Sequence, residues 1–171
     1  MYTVDRKDEV VELNGLPQSS VGSPTPALLS REGRTILAYY LEDFREHEDG
    51  AGGTTTDYPP ETLAIVDFNR CYAVMFGPPN DEAFAGHPLA KRGLTPYGTY
   101  EVKNSSWIRQ LERMNSVHYL HDPERFWKRR HLIFSFHDSV FECIADGFEI
   151  ETSFGSMESI VPRMAEKLWQ R

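Results

Sequence analysis

The chain of 171 residues carries 18 Lys and Arg against 26 Asp and Glu, a formal net charge of −8, with 40% apolar and 12% aromatic residues. That supply of apolar side chains builds a packed core rather than a disordered chain, and one domain of this length buries roughly 70% of its unfolded surface. Composition excludes collagen-like, coiled-coil and disulfide-scaffold chains, no stretch approaches the roughly 20 apolar residues of a membrane-spanning helix, and net negative charge sets nucleic acid aside as a general partner.

Residues 1–34 read as a periphery, with a short apolar run at 10–13 and a Ser/Gly/Pro-rich loop at 17–26. The N-terminus has no apolar signal-peptide core. Both cysteines, Cys71 and Cys143, sit in apolar runs, the pattern of buried thiols in a reducing compartment. A cytoplasmic protein is therefore the expectation. Residues 35–41 are apolar on both faces, as in a strand covered from both sides. Between Glu42 and Glu61 lie seven acidic side chains and one basic, Arg45, together with glycines, threonines and two prolines. This segment reads as a long mobile loop, either a lid or an insertion.

The main core, 62–171, opens on a hairpin over 62–76. Its turn falls at Asn69-Arg70, so that Phe68 pairs with Cys71 and Val66 with Ala73. An irregular connection over 81–94 leads to a strand at 97–102. Asn104-Ser105-Ser106 starts a helix whose Trp107, Leu111, Met114 and His118 share one face. Asp122-Pro123 starts a second, short helix running to about Arg130. Three antiparallel strands follow at 131–137, 140–145 and 148–153, joined by turns at Asp138-Ser139 and Asp146-Gly147. A helix after Ser159 closes the chain, burying Ile160, Val161, Met164 and Leu168. The class is α+β: a single domain with a mainly antiparallel sheet of about six to eight strands, packed by two or three short helices.

The three-stranded unit holds the chemistry. Two-residue turns pair Phe134 with Cys143 and Phe141 with Thr152, making one face core. The other face aligns Ser135, Glu142 and Glu151 in one row, with His131, His137 and Glu149 nearby. Directly opposed carboxylates destabilise a strand pair unless they splay into water, share a proton or bind a cation. Glu142 and Glu151 with His137 are therefore the candidate acid/base residues and, equally, the candidate ligands for a divalent metal; no other cofactor is evident. Ser135, Glu149, His131 and His87 are candidate ligand-binding neighbours. The plainer reading is a solvated outer sheet face, although Ile133, Val140 and Ile144 on that face imply partial cover.

Other motifs carry less. His118, His121 and His131 match no specific zinc spacing. His137-Asp138-Ser139 lacks the partner motifs that phosphohydrolases and two-histidine phosphoesterases require. Cys143 points into the core, and Ser19, Ser105 and Ser139 lie in no nucleophile-elbow pattern. Lys128, Arg129 and Arg130, beside Phe126 and Trp127, are the candidate anion or RNA contact, set against an amphipathic helix whose basic face is simply wet. The sequence thus supports first a small binding protein with an unknown small molecule or protein partner. Its alternatives are a metal-assisted or acid/base hydrolase, and more weakly an anion-binding protein.

Overall fold

The computed structural model describes residues 2–42 and 61–170. The acidic segment expected to be a lid or an insertion lies almost wholly outside them. The elements, in order, are β1 (Glu9–Glu12), β2 (Ala27–Arg31), β3 (Gly33–Tyr40), β4 (Thr62–Cys71), β5 (Ala73–Gly77), β6 (Thr99–Lys103), α1 (Ser106–Asn115), α2 (Glu124–Trp127), β7 (Arg130–Ser135), β8 (Val140–Ala145), β9 (Gly147–Phe154) and α3 (Met157–Trp169). Two 3-10 turns, Phe84–Gly86 and Ala90–Arg92, interrupt the connection between β5 and β6. The fold is α+β and antiparallel, with two sheets in place of the one expected. A five-stranded sheet is ordered β1-β6-β7-β8-β5 and a four-stranded sheet β2-β3-β4-β9.

The sheets share one core. Leu37, Tyr39, Val66 and Phe68 of the four-stranded sheet pack against Leu132, Phe134, Phe141 and Cys143 of the five-stranded sheet. Aromatic rings dominate this layer, as in the Phe68–Phe141 pair at 5.0 Å. Each sheet is also covered outside, which explains why β3 and β4 are apolar on both faces. Ile36, Ala38, Leu63 and Ile65 face Ile160, Met164 and Leu168 of α3. On the opposite exterior, Tyr100, Val102, Ile133, Val140 and Ile144 lie beneath Tyr2, Phe84, Leu89, Trp107 and Phe126.

Two expected hairpins are instead crossings between sheets. β4 pairs with β3 and β9, while β5 pairs with β8, so 62–76 folds no hairpin. Arg70 does take the positive φ that its turn assignment required, at 47°. Here that conformation marks a shift of register opposite Gly33 and Arg34, which redirects the chain through Tyr72 to the other sheet. At Asp146-Gly147 neither residue has the positive φ of a type I′ turn, and β9 leaves β8 to join β4. The β7–β8 hairpin does form. Its connection is four residues, so Phe134 faces Phe141 and Ile133 faces Glu142. A slip of two residues preserves every side chain's face.

The N-terminal segment is not peripheral. Tyr2 and Asp8 are buried, and β1 and β2 are sheet members. Ser105 caps α1 by accepting from the Ile108 amide, and Ser156 caps α3 by accepting from the Ser159 amide. The expected stripe on α1 holds only at its start: Trp107 is buried, Met114 is exposed, and His118 lies past the helix end. In the turn after α1, Val117 is 91% exposed. A Val117→Lys change should therefore shift the urea-unfolding free energy by no more than about 0.5 kcal/mol. A larger loss would mean that this side chain is covered in the folded protein. No helix among the described residues is long and apolar enough to cross a membrane.

Candidate functional site

A cleft of about 370 Å³ opens where β6 ends, α1 begins and α2 runs into β7. Asn104, at a left-handed φ of 52°, turns the chain from strand to helix, and Ser105 follows it as the N-cap. Lys103, Arg109, Lys128, Arg129 and Arg130 line the cleft, with Glu101 as its acidic lining residue. Glu101 is engaged by Arg130 at 2.6 Å and Lys103 at 2.5 Å. Burial pushes its carboxyl up, but the hydrogen bonds from these two cations hold it below its ordinary value. Arg109 is drawn toward Asp5 at 2.6 Å. The Arg129 guanidinium lies over Tyr72 at 3.2 Å and over Phe126 at 4.2 Å, leaving its Nε buried without a hydrogen-bond partner. Among the described residues, neither Lys128 nor Arg129 has an ion-pair partner. The helix N-terminus itself is occupied, since the Ser106 amide donates to Asp8 at 2.5 Å.

A buried polar relay runs inward from the cleft. Ser105 Oγ lies 2.9 Å from His131 Nδ1, and His131 Nε2 lies 2.9 Å from Glu142 Oε2. The same carboxylate oxygen accepts from Tyr2 Oη at 2.7 Å, and Glu142 Oε1 is 3.1 Å from His87 Nε2. One proton arrangement satisfies the whole set. His87 Nδ1 accepts from the Leu89 amide at 3.2 Å, so His87 carries its proton on Nε2 and donates to Glu142. His131 likewise donates from Nε2 and accepts the Ser105 hydroxyl proton on Nδ1. Glu142 is 3% exposed and His131 fully buried. Burial pushes the Glu142 carboxyl up, but the hydrogen bonds that it accepts from His131, His87 and Tyr2 hold it down at about 2. Tyr2 and Trp107 stack on each other at 5.3 Å and each set an edge against the His131 ring, fixing its orientation.

The Glu142/Glu151 pair is separated. With β8 and β9 in different sheets, Glu142 faces Tyr2 and the histidines, while Glu151 faces α3 on the opposite exterior. There Glu151 pairs with Arg163 at 3.1 Å and Lys167 at 3.2 Å. Glu149 aligns with Asp67 of β4 on that same exterior. His137 joins a third group, with Nδ1 2.8 Å from Tyr97 Oη and 3.1 Å from Asp81 Oδ2. The metal trio of Glu142, Glu151 and His137 is thus spread over three places. Among the described residues, no group of three or more His, Cys, Asp or Glu is disposed to hold a metal ion. Ser135 is buried, donating to Thr95 or Gly98 carbonyls and accepting from the Gly98 amide.

The Asp81–Tyr97–His137 group resembles a catalytic set but is tuned the wrong way. The hydrogen bond to Asp81, with some desolvation, raises the Tyr97 phenol to about 12, whereas a nucleophile needs the opposite shift. Its three side chains instead tie the 78–98 connection to the β7–β8 turn, helped by the Asp81 amide donating to the His137 carbonyl at 2.8 Å.

Of the candidate residues read from sequence, the structure brings Glu142, His131 and His87 together, and separately groups Lys128, Arg129 and Arg130 at the cleft. Tyr2, Ser105, Lys103 and Arg109 escaped that reading. Ser105 carried a usable signal, because a helix-capping hydroxyl after a strand is placed where the chain turns; Tyr2, 140 residues from Glu142, carried none. No protein-family model matches the chain, and neither a curated protein nor a solved structure matches it.

Proposed function

We propose that this is a binding protein for a small anionic ligand, held in the cleft at the junction of β6, α1 and β7. The observation that carries the reading is that five cationic residues line one concavity with a single acidic one, in a chain whose net charge is −8. Positive charge in a concave site with low-dielectric walls focuses the field and concentrates anions. Arg109 and Arg130 are held by carboxylates and supply a fixed framework. Lys128 and Arg129 contribute charge that no carboxylate among the described residues offsets. Trp127, half-exposed on the cleft lining, offers a flat apolar face to a planar part of the ligand.

Citrate and pyrophosphate serve as probes. Each should raise the melting temperature, by an amount that falls as sodium chloride is raised, because the attraction is screened. Lys128→Glu should weaken probe affinity by about tenfold or more in titration calorimetry, equivalent to about 1.4 kcal/mol, while leaving stability nearly unchanged. If neither probe shifts the melting temperature of the unaltered protein at millimolar concentration, the reading fails.

A further inference from the structure

We infer that the cleft is also a reaction site, in which Ser105 is the nucleophile, His131 its general base and Glu142 the carboxylate that orients and charges His131, acting on small esters that carry an anionic group. The inference rests on the anion-binding reading of the cleft, because the substrate class is set by the cations around it. Nucleophile, base and orienting acid follow one another at 2.9 Å and 2.9 Å, within the hydrogen-bond reach that such a relay requires. The Ser105 hydroxyl has one proton and two lone pairs. The proton points to His131 Nδ1, one lone pair accepts from the Ile108 amide at 3.2 Å, and the second remains for attack. Ser105 is 3% exposed and is among the residues lining the cleft, so a substrate reaches its hydroxyl only by way of the cleft.

The rest of the relay behaves as support for His131. Glu142 is fixed from three sides by Tyr2, His87 and His131, and stays a carboxylate beside the ring that becomes positive during reaction. Tyr2 and Trp107 hold the imidazole plane. The position of this carboxylate directly behind a histidine and a cleft-lining serine matches the division of roles in acyl transfer.

In the reaction, Ser105 Oγ bonds to the ester carbonyl carbon while its proton passes to His131 Nδ1. The bond from that carbon to the leaving alkoxide breaks, and the departing oxygen takes the proton from His131. Water then attacks the acyl–Ser105 ester, giving a proton to His131. That proton returns to Ser105 Oγ as the carboxylic acid leaves, so the enzyme is regenerated with no oxidant or further co-reactant. The positive field of the cleft acts on the oxyanion and, through the uncompensated Lys128 above all, on the anionic end of the substrate.

The test is covalent labelling with an alkyl fluorophosphonate, read by intact mass and peptide mapping. One adduct on Ser105 is expected, absent in Ser105→Ala and formed at least about a hundredfold more slowly in His131→Gln. Circular dichroism reports whether the His131 variant folds; should it not, the mapped adduct and its loss in Ser105→Ala decide the matter. No adduct, or an adduct that persists in Ser105→Ala, overturns the assignment. For the substrate class, protein-dependent cleavage of 4-nitrophenyl hemiadipate, read above the protein-free rate, should be at least about tenfold faster than that of the uncharged 4-nitrophenyl hexanoate, with the preference lost in Lys128→Glu. Equal rates overturn the anionic class. Thermal shifts with citrate on the same preparations separate the two levels: a retained shift without an adduct removes the reaction and keeps the binding site, and absence of both removes both.

Discussion

Glu142→Ala should lower the free energy of unfolding by about 3–5 kcal/mol, the range for removing one partner from a buried charged group while its other partners stay buried. The loss comes from what remains. Tyr2 Oη, His131 Nε2 and His87 Nε2 all donate to this carboxylate within 3.1 Å, and all three residues are buried. Each donor left without an acceptor costs about 1–3 kcal/mol, partly relieved if the cavity admits water. Glu142→Gln keeps the shape but places an amide donor against one of three donors, and should cost roughly half as much. Glu151→Ala is the control. Its partners Arg163 and Lys167 reach solvent, so its loss should stay below about 1 kcal/mol. Urea denaturation of the three variants checks the ordering. Equal, small losses for Glu142 and Glu151 would contradict the relay, and a gain on removing either would restore the opposed-carboxylate picture.

How much of this was legible depends on the range of the interaction. The faces of β7 and β8 followed from alternation alone, and a two-residue slip in register left Glu142 and His131 on the same side. Local chemistry also located the cap Ser105 and three members of the expected stripe, Ile160, Met164 and Leu168, whereas Val161, expected with them, is exposed. What failed was the partner of each strand. Asp146-Gly147 and Asn69-Arg70 have hairpin composition, yet in a two-sheet fold the same residues carry the chain from one sheet to the other. Turn residues specify where the chain bends, and the neighbouring buried faces decide where it goes. Because β4 is apolar on both sides, it needed a sheet neighbour on each edge and a layer above and below, which a hairpin with β5 cannot provide. The misplaced β9 then created the Glu142/Glu151 row. The cover implied by Ile133, Val140 and Ile144 was the better clue, since a covered face makes Glu142 a buried acid in need of donors. His131 comes from the neighbouring strand of the hairpin, but the other two donors come from residues 2 and 87, separations that no local pattern encodes.

The same donors make a pH dependence. Glu142 is held at about 2 in the folded protein against an ordinary value of 4.5. A carboxyl lowered on folding contributes its stability in full above its unfolded value, and loses it as pH falls toward the folded one. At about 1.4 kcal/mol per pH unit, the whole contribution is roughly 3 kcal/mol, and about 2 kcal/mol of it should be gone by pH 3. Asp5, Asp81 and Glu101 are lowered as well, so the acid lability of the unaltered protein alone assigns nothing to Glu142. The difference between the unaltered protein and Glu142→Gln removes those shared contributions. That difference should be flat from about pH 5 to pH 8 and should shrink steadily below about pH 4.5, read from urea unfolding at each pH. A difference constant down to pH 3 would mean that the carboxylate does not meet its donors in the folded protein. Fluorophosphonate labelling of Ser105 adds an independent reading over the range where the protein stays folded, because a relay that needs a charged Glu142 behind His131 should retain that carboxylate's support throughout pH 5 to 8.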